Sequence, residues 1–246
     1  KRIYEKVYKN VDQLFTAGVY NQLGIVYLRL KKLNQARKNL KGSLRIKIKL
    51  LGKNKPEVAI SYSNLGLFEG ESGNIDGQIK YYQKALKIQK SIFGEDANEL
   101  VITYHNLGVA YDELNDLKKA LKHYKKALSI EHRIYGESHP MISTSYLSIG
   151  NIYQKQKKNY DAGKCFSKGL RMALKFYDQT NLNTTEGLIT MAELYKDFKN
   201  FKEAQNFFKK SFLILRNTPD NTDIDLLQYT KNTLNEIDKN NSLISL

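Results

Sequence analysis

The sequence predicts an all-α solenoid of stacked helix pairs, and three observations carry that reading. Gly24, Gly66, Gly108 and Gly150 recur every 42 residues, and the next step lands on Ala192. Neighbouring registers recur with them. Tyr20, Tyr62, Tyr104 and Tyr146 lie four residues before the small residue. Leu23, Leu65, Leu107, Ile149 and Met191 lie immediately before it, and Tyr27, Tyr111, Tyr153 and Tyr195 three after. Ala36, Ala120, Ala162 and Ala204 lie twelve after. Within a period the apolar residues follow helical spacing. A fixed period of about 20–50 residues marks supersecondary units that bury their apolar faces only by stacking.

Each period reads as two helices. In the third, Tyr104, Leu107, Gly108 and Tyr111 share one helical face, and Leu117, Ala120, Leu121, Tyr124, Ala127, Leu128 and Ile130 form a second stripe. Asn115-Asp116 breaks the two. Small residues at Gly108, Ala120 and Ala127 permit close approach of the pair. Gly52, Gly94 and Gly136 end the second helices. Two residues on, Asn54, Asp96 and Ser138 are expected N-caps, with Glu57 and Glu99 at capping-box spacing. Pro56 and Pro140 fall in the first helical turn.

The predicted organisation is five repeats, at about 12–53, 54–95, 96–137, 138–179 and 180–221. Residues 1–11 read as the end of an upstream partial repeat, with Asp12 capping the next helix. Residues 222–239 read as a capping helix that begins at Thr222 and shows Asp225, Gln228, Lys231, Asn232 and Glu236 to solvent. Residues 240–246 read as a tail. The first residue is not Met and the register runs off the start, so a longer parent protein is expected.

Composition narrows the function classes. The net charge of +15 invites acidic partners. The single cysteine, Cys165, allows no internal disulfide and fits a reducing compartment. No apolar run is long enough for a membrane span, and no signal peptide opens the chain. An intracellular, cytoplasmic location is expected, with the cytoskeleton or cilium as the finer alternative.

The pattern resembles the tetratricopeptide repeat, in the 42-residue form of kinesin light chains. The residues that carry it are Tyr104-His105-Asn106-Leu107-Gly108-Val109-Ala110-Tyr111, then Lys119 to Ile130, then Tyr135-Gly136-Glu137-Ser138-His139-Pro140. The resemblance implies a right-handed superhelical solenoid whose first helices line a concave groove and whose second helices form the outside. It implies protein binding rather than catalysis.

On that geometry the groove candidates are Asn21 and Gln22; Asn64, Leu67, Gly70 and Glu71; His105, Asn106, Val109 and Asp112; Ser148, Asn151 and Lys155; and Thr190. Asn64 and Asn106 match the family position whose amide holds a ligand backbone, and an amide both donates and accepts. The Lys/Arg clamp of the family's chaperone-tail binders is missing, with Asn21, Ile25, Ile102 and Asn106 at those places. Family members that take tryptophan-acidic cargo have a basic groove. Here Glu69, Glu71, Asp112, Glu113, Glu186, Glu193 and Asp197 outnumber Arg29, Lys155 and Lys196. A neutral or basic, partly apolar peptide is the expected occupant.

The second helices carry the basic residues: Arg37, Lys38, Lys41 and Arg45, then Lys118, Lys119, Lys122 and Lys126, then Lys164 and Lys168. This convex face suits acidic tails such as those of tubulin. Nucleic acid is a minor reading, because the tyrosines that would stack bases are used in packing. Repeat two departs most, with Glu69 at the packing-Tyr register and Gln78 at the packing-Ala register. Gly70, Gly73 and Gly77 crowd its turn, which reads as a soft joint or as a gap opposite Gly70 for a ligand side chain.

Catalytic chemistry is not written in the chain. His105, His123, His132 and His139 have no partners at metal spacing, with His123 expected on the outer face. Cys165 lacks a visible histidine partner, and there is no phosphate-binding glycine loop. The expectation is a non-enzymatic scaffold or adaptor with no cofactor and no metal. A structural subunit of a microtubule or ciliary assembly and a regulatory sensor array of a larger protein are the alternatives. The oligomeric state is left open.

Overall fold

The structure, a computed structural model, describes residues 2–136, 139, 141–176, 182–197, 201–217 and 224–244. The expected caps Ser138 and Thr222, with Pro140, lie outside the described residues. Among the described residues there is no strand. In chain order the helices are α1 (Arg2–Arg29), α2 (Leu33–Leu51), α3 (Pro56–Glu71), α4 (Ile75–Phe93), α5 (Val101–Glu113), α6 (Leu117–Tyr135), α7 (Met141–Lys155), α8 (Asn159–Phe176), α9 (Leu182–Asp197), α10 (Phe201–Asn217) and α11 (Ile224–Ile244). A 3-10 turn, Asn98–Leu100, precedes α5. The chain divides into two compact units, Lys1–Ile130 and Glu131–Leu246.

Within each unit the helices pack as antiparallel pairs, and the 42-residue glycine register explains how closely. A β-carbon on Gly66 would lie 2.7 Å from the Tyr82 ring, one on Gly108 2.5 Å from the Tyr124 ring, and one on Gly150 2.3 Å from the Phe166 ring. One on Gly24 would lie 2.6 Å from Leu40. In these four repeats the second helix thus drives one large side chain against bare backbone on the first. In the fifth repeat Ala192 takes the place of glycine, and Ala192 and Phe208 are buried in one core cluster.

The turn inside a repeat is also conserved in geometry. Lys31, Gly73, Asn115 and Lys157 all have positive φ, between 56° and 77°. Around each, the next residue's N–H bonds five residues back and the turn residue's own N–H three back. Lys32 N to Tyr27 O (2.8 Å) and Lys31 N to Leu28 O (2.9 Å) are one instance. This is the Schellman arrangement, which satisfies the last carbonyls of the helix. The following helices are capped by side chains: Gly77 N donates to Asn74 Oδ1 (3.1 Å) and Lys119 N to Asp116 Oδ1 (3.1 Å).

The joints between repeats differ from expectation. Gly52 and Gly94 have positive φ, but with ψ of 174° and 171° rather than the helical left-handed value. The chain therefore leaves extended, and α3 and α5 start later than the cap reading placed them. Lys55 precedes α3, with Pro56 in its first turn, and Leu100 precedes α5; neither makes a side-chain cap. Asn54 accepts instead from Ser91 Oγ (2.9 Å), and Asp96 pairs with Lys126 (2.8 Å). Asp12 is not a cap either, since α1 runs unbroken from Arg2 to Arg29 and Thr16 Oγ1 donates to the Asp12 carbonyl (2.8 Å). The register residue of Gly52 in that stretch is Asn10, so the residue that turns the other joints is missing there.

Polar latches recur at the joints in one register. Lys47 Nζ donates to Ser61 Oγ (3.0 Å), Thr103 Oγ1 donates to Gln89 Oε1 (2.8 Å), and Ser145 Oγ donates to Glu131 Oε2 (2.5 Å). Burial lowers the Lys47 pKa, partly offset by Glu57. At the outer edge of α1, Val11, Phe15, Val19, Leu23, Val26 and Leu30 form an exposed apolar stripe. On α11 the five polar residues named above are exposed, while Thr230, Thr233 and Ile237 are buried.

Candidate functional site

In the first unit, first helices of successive repeats converge on a cavity of about 420 Å³. From α3 come Leu67, Gly70 and Glu71; from α5 come Asn106, Val109 and Glu113. Gln78 and Tyr82 of α4 complete the wall. Five of the fourteen groove candidates thus meet around one space. Leu67 and Val109 are each 42% exposed. Glu71 pairs with Lys31 from the preceding repeat at 2.5 Å, both side chains being largely solvated.

The cavity follows from the departures of repeat two. At its other occurrences the Gly70 register holds Leu28, Asp112, Gln154 and Lys196, and the Gln78 register holds alanine. Here the long side chain comes from α4 and the bare position from α3. A β-carbon on Gly70 would lie 2.6 Å from Gln78 Nε2 and 3.1 Å from its Oε1. The expected gap opposite Gly70 is therefore occupied by an amide, and the open space lies beside it. Gln78 is 6% exposed and its Oε1 has no hydrogen-bond partner. Glu69 is held through Asn74, whose Nδ2 donates to Glu69 Oε2 (2.6 Å) while its Oδ1 caps α4.

The electrostatics of this face are negative. Burial raises the Tyr82 phenol pKa and Glu113 adds to the rise, whereas a hydrogen bond from Gln78 opposes it. Burial raises the Tyr124 phenol too, with Asp112 and Glu113 adding to it.

The remaining candidates are scattered. Asn21 is buried, and its Oδ1 accepts from Asn64 Nδ2 (2.8 Å). That bond uses Asn21 as a support and engages one N–H of Asn64, and of the two family-register amides it is Asn106 that lines the cavity. Gln22 is exposed, and His105 lies tilted against Tyr124, its ring centroid 5.7 Å away. In the second unit Asn151 and Lys155 are exposed, and Ser148 and Thr190 are half-buried. There Glu193 accepts from the Tyr229 hydroxyl of α11 and pairs with Lys196 (2.9 Å). Burial and that carboxylate push the Tyr229 pKa up to about 12.

On the second helices Arg37, Lys38, Lys41, Arg45, Lys118, Lys122, Lys164 and Lys168 are exposed. Lys119 and Lys126 are neutralised by Asp116 (2.7 Å) and Asp96 (2.8 Å). In the second unit Lys168 joins His132, Arg133, Tyr146, Arg171 and Met172 around a basic cavity of about 390 Å³. His132 bonds the Tyr146 hydroxyl (3.0 Å), and the Lys168 ammonium lies 5.4 Å from that ring. His123 is not on the outer face. It is half-buried, stacked on Tyr111 at 5.2 Å and 3°, and burial lowers its pKa to about 4, with Lys122 and Lys90 contributing.

Sequence reasoning missed Tyr82 as a wall residue and did not place Gln78 in the cavity, although it marked Gln78 as a departure. Among the described residues no cluster of three or more His, Cys, Asp or Glu is placed to hold a metal, and no helix is long and apolar enough to cross a membrane.

The fold has close counterparts among solved structures. BtubC (BKLC) from P. vanneervenii is similar over 90% of this chain and 93% of that one, at TM-score 0.74 and 17% identity. A Podosopora anserina protein of nearly identical TPR-like repeats, described as a kinesin light chain, matches 81% of this chain and 95% of its own at TM-score 0.69 and 16% identity. A Signal Transduction ATPase with Numerous Domains from Pyrococcus horikoshii, with a tetratricopeptide repeat sensor, matches 92% of this chain at TM-score 0.72 and 22% identity, over 33% of its own length. These identities carry the fold alone. No curated protein matches the sequence. The tetratricopeptide repeat model matches residues 15–77, 71–131 and 141–217, and the chain belongs to the tetratricopeptide repeat family.

Proposed function

We propose that this chain is a protein-interaction scaffold that holds an extended peptide or protein segment against the first helices of its first unit. The supporting observation is the convergence of Leu67, Asn106, Val109 and Glu113 around a cavity that the packing of the array leaves open. Apolar walls with a few placed polar groups are the usual makeup of a binding site. Asn106 offers a backbone-pairing amide, and the exposed Leu67 and Val109 offer apolar contact. The described residues present no nucleophile–base pair at this site. The reading is of a non-enzymatic adaptor set in the cell interior.

A second reading places the main interface on the second helices, where either the exposed cations of α2 or, in the second unit, the basic cavity around Arg133, Lys168 and Arg171 suits an acidic partner, such as an acidic tail, within a larger assembly. Affinity capture from lysate separates the two, using the wild-type chain, Asn106→Ala and the convex double variant Lys38→Glu/Lys41→Glu. Under the groove reading a partner is lost with Asn106→Ala and kept with the convex variant, at unchanged melting temperature. The opposite pattern contradicts it and favours the assembly reading.

A further inference from the structure

Resting on the groove reading, we propose that the cavity between α3 and α5 is an anchor pocket for one basic side chain, arginine or lysine, of the bound peptide. The argument starts from Gln78. Replacing the alanine of the other repeats by a glutamine puts a long polar side chain into the packed seam of a helix pair. Gly70 opposite, having no side chain, leaves room for its amide end. The amide then stands 94% buried with its carbonyl oxygen unpartnered. A buried acceptor without a donor is a costly state that native proteins rarely keep without cause. Gln78 also lines the cavity, so a donor can approach its amide from that side.

The surroundings specify that donor. Two carboxylates, Glu71 and Glu113, line the same cavity, and among the described residues no cation does. Lys31 pairs with Glu71 but is not part of the wall. An acidic side chain entering here would meet an amide oxygen, the Glu113 carboxylate and the Lys31-paired Glu71. An apolar one would leave the Gln78 oxygen stranded. A basic side chain answers each feature: its methylene stem packs on Leu67 and Val109, its N–H groups reach Gln78 Oε1, and its charge faces the carboxylates. Burial is the main cause of the raised Tyr82 and Tyr124 phenols, and the Glu113 charge adds a smaller rise at each.

The test is selection of short random peptides displayed on phage against the full chain, in wild-type, Gln78→Met and Glu113→Gln forms. Gln78→Ala serves as a further variant, because it restores the residue found in the other four repeats, and thermal melts confirm that each variant folds. The expected result is a peptide family with one position held by Arg or Lys. Replacing that residue by norleucine costs about tenfold in affinity for the wild-type chain. The cost shrinks to about threefold or less in Gln78→Met and in Glu113→Gln. Selected peptides with no basic position, or a basic position that matters equally in all forms, overturn the proposal while leaving the groove reading intact. Failure to select any peptide sensitive to Asn106→Ala overturns the groove reading itself.

Discussion

Repeats two and three share one register and solve the same packing problem differently. In repeat three, Tyr111 stacks on His123, which also meets Tyr104 at 5.9 Å, and Ala120 is a buried contact surface. In repeat two the Tyr111 register holds Glu69, and the ring at the His123 register, Tyr81, stacks on Tyr62 at 6.0 Å instead. Burial and the Glu69 charge raise the Tyr81 phenol pKa. Repeat three fills its seam with rings. Repeat two fills it with an amide and leaves a cavity beside it. Both keep the glycine-to-tyrosine contact, Gly66 on Tyr82 and Gly108 on Tyr124. The difference teaches that the array reserves one contact for the fold and lets the neighbouring positions vary.

The reserved contact breaks most severely. Gly108→Val forces a branched side chain onto the Tyr124 ring and should destabilise by about 3 kcal/mol, read as a shift in urea midpoint. Gly70→Ala pushes only the movable end of Gln78 and should cost about 1 kcal/mol or less. Equal costs at the two glycines would remove the distinction drawn above.

A transplant sharpens it. Ala120→Gln places the repeat-two amide into repeat three, where Asp112 occupies the register of Gly70, and should cost about 2 kcal/mol. Adding Asp112→Gly should recover about 1 kcal/mol, a coupling measurable in a double-mutant cycle. Additive effects would show that the Gly–Gln pairing is not a unit.

The latches rank next. Thr103→Val removes the hydroxyl donor to Gln89 Oε1 and should cost about 1–2 kcal/mol. A wild-type-like midpoint would make that latch incidental.

His123 gives a pH signature that repeat two lacks. Its pKa falls from 6.5 to about 4 in the folded chain. Between those values the unfolded chain takes up a proton that the folded chain does not. Its contribution is therefore complete above about pH 6.5 and is lost as the pH falls towards 4. His123→Phe should flatten the dependence of melting temperature on pH across that window, and an unchanged slope would refute it. The smallest expected effect is at the turns: Lys157→Gly relieves a positive φ and should stabilise by about 0.5–1 kcal/mol.

The fold was largely legible because its period is enforced by sterics. A position that must face a bulky side chain at this distance stays small, so Gly24, Gly66, Gly108 and Gly150 stand out in the bare sequence. The Asn54 and Asp96 cap readings failed for a local reason. Gly52 and Gly94 leave the helix extended rather than left-handed helical, which delays the next helix and frees those side chains for Ser91 and Lys126. Asp12 failed because Asn10 stands where the joints have glycine, and a helix without a breaker continues. The candidate site was half legible. First-helix spacing found Leu67, Gly70, Glu71, Asn106 and Val109. It could not show that Asn64 is spent on Asn21, since that contact joins two repeats, nor that Gln78 and Gly70 complement each other across a turn.

The most direct measurement is a methyl NMR spectrum of the chain on addition of a peptide selected on it. The account predicts that Leu67 and Val109 methyl resonances shift with saturation while the buried Leu40 and Ile130 stay still. Shifts at Met172, beside the basic cavity, with Leu67 and Val109 unmoved, would contradict it.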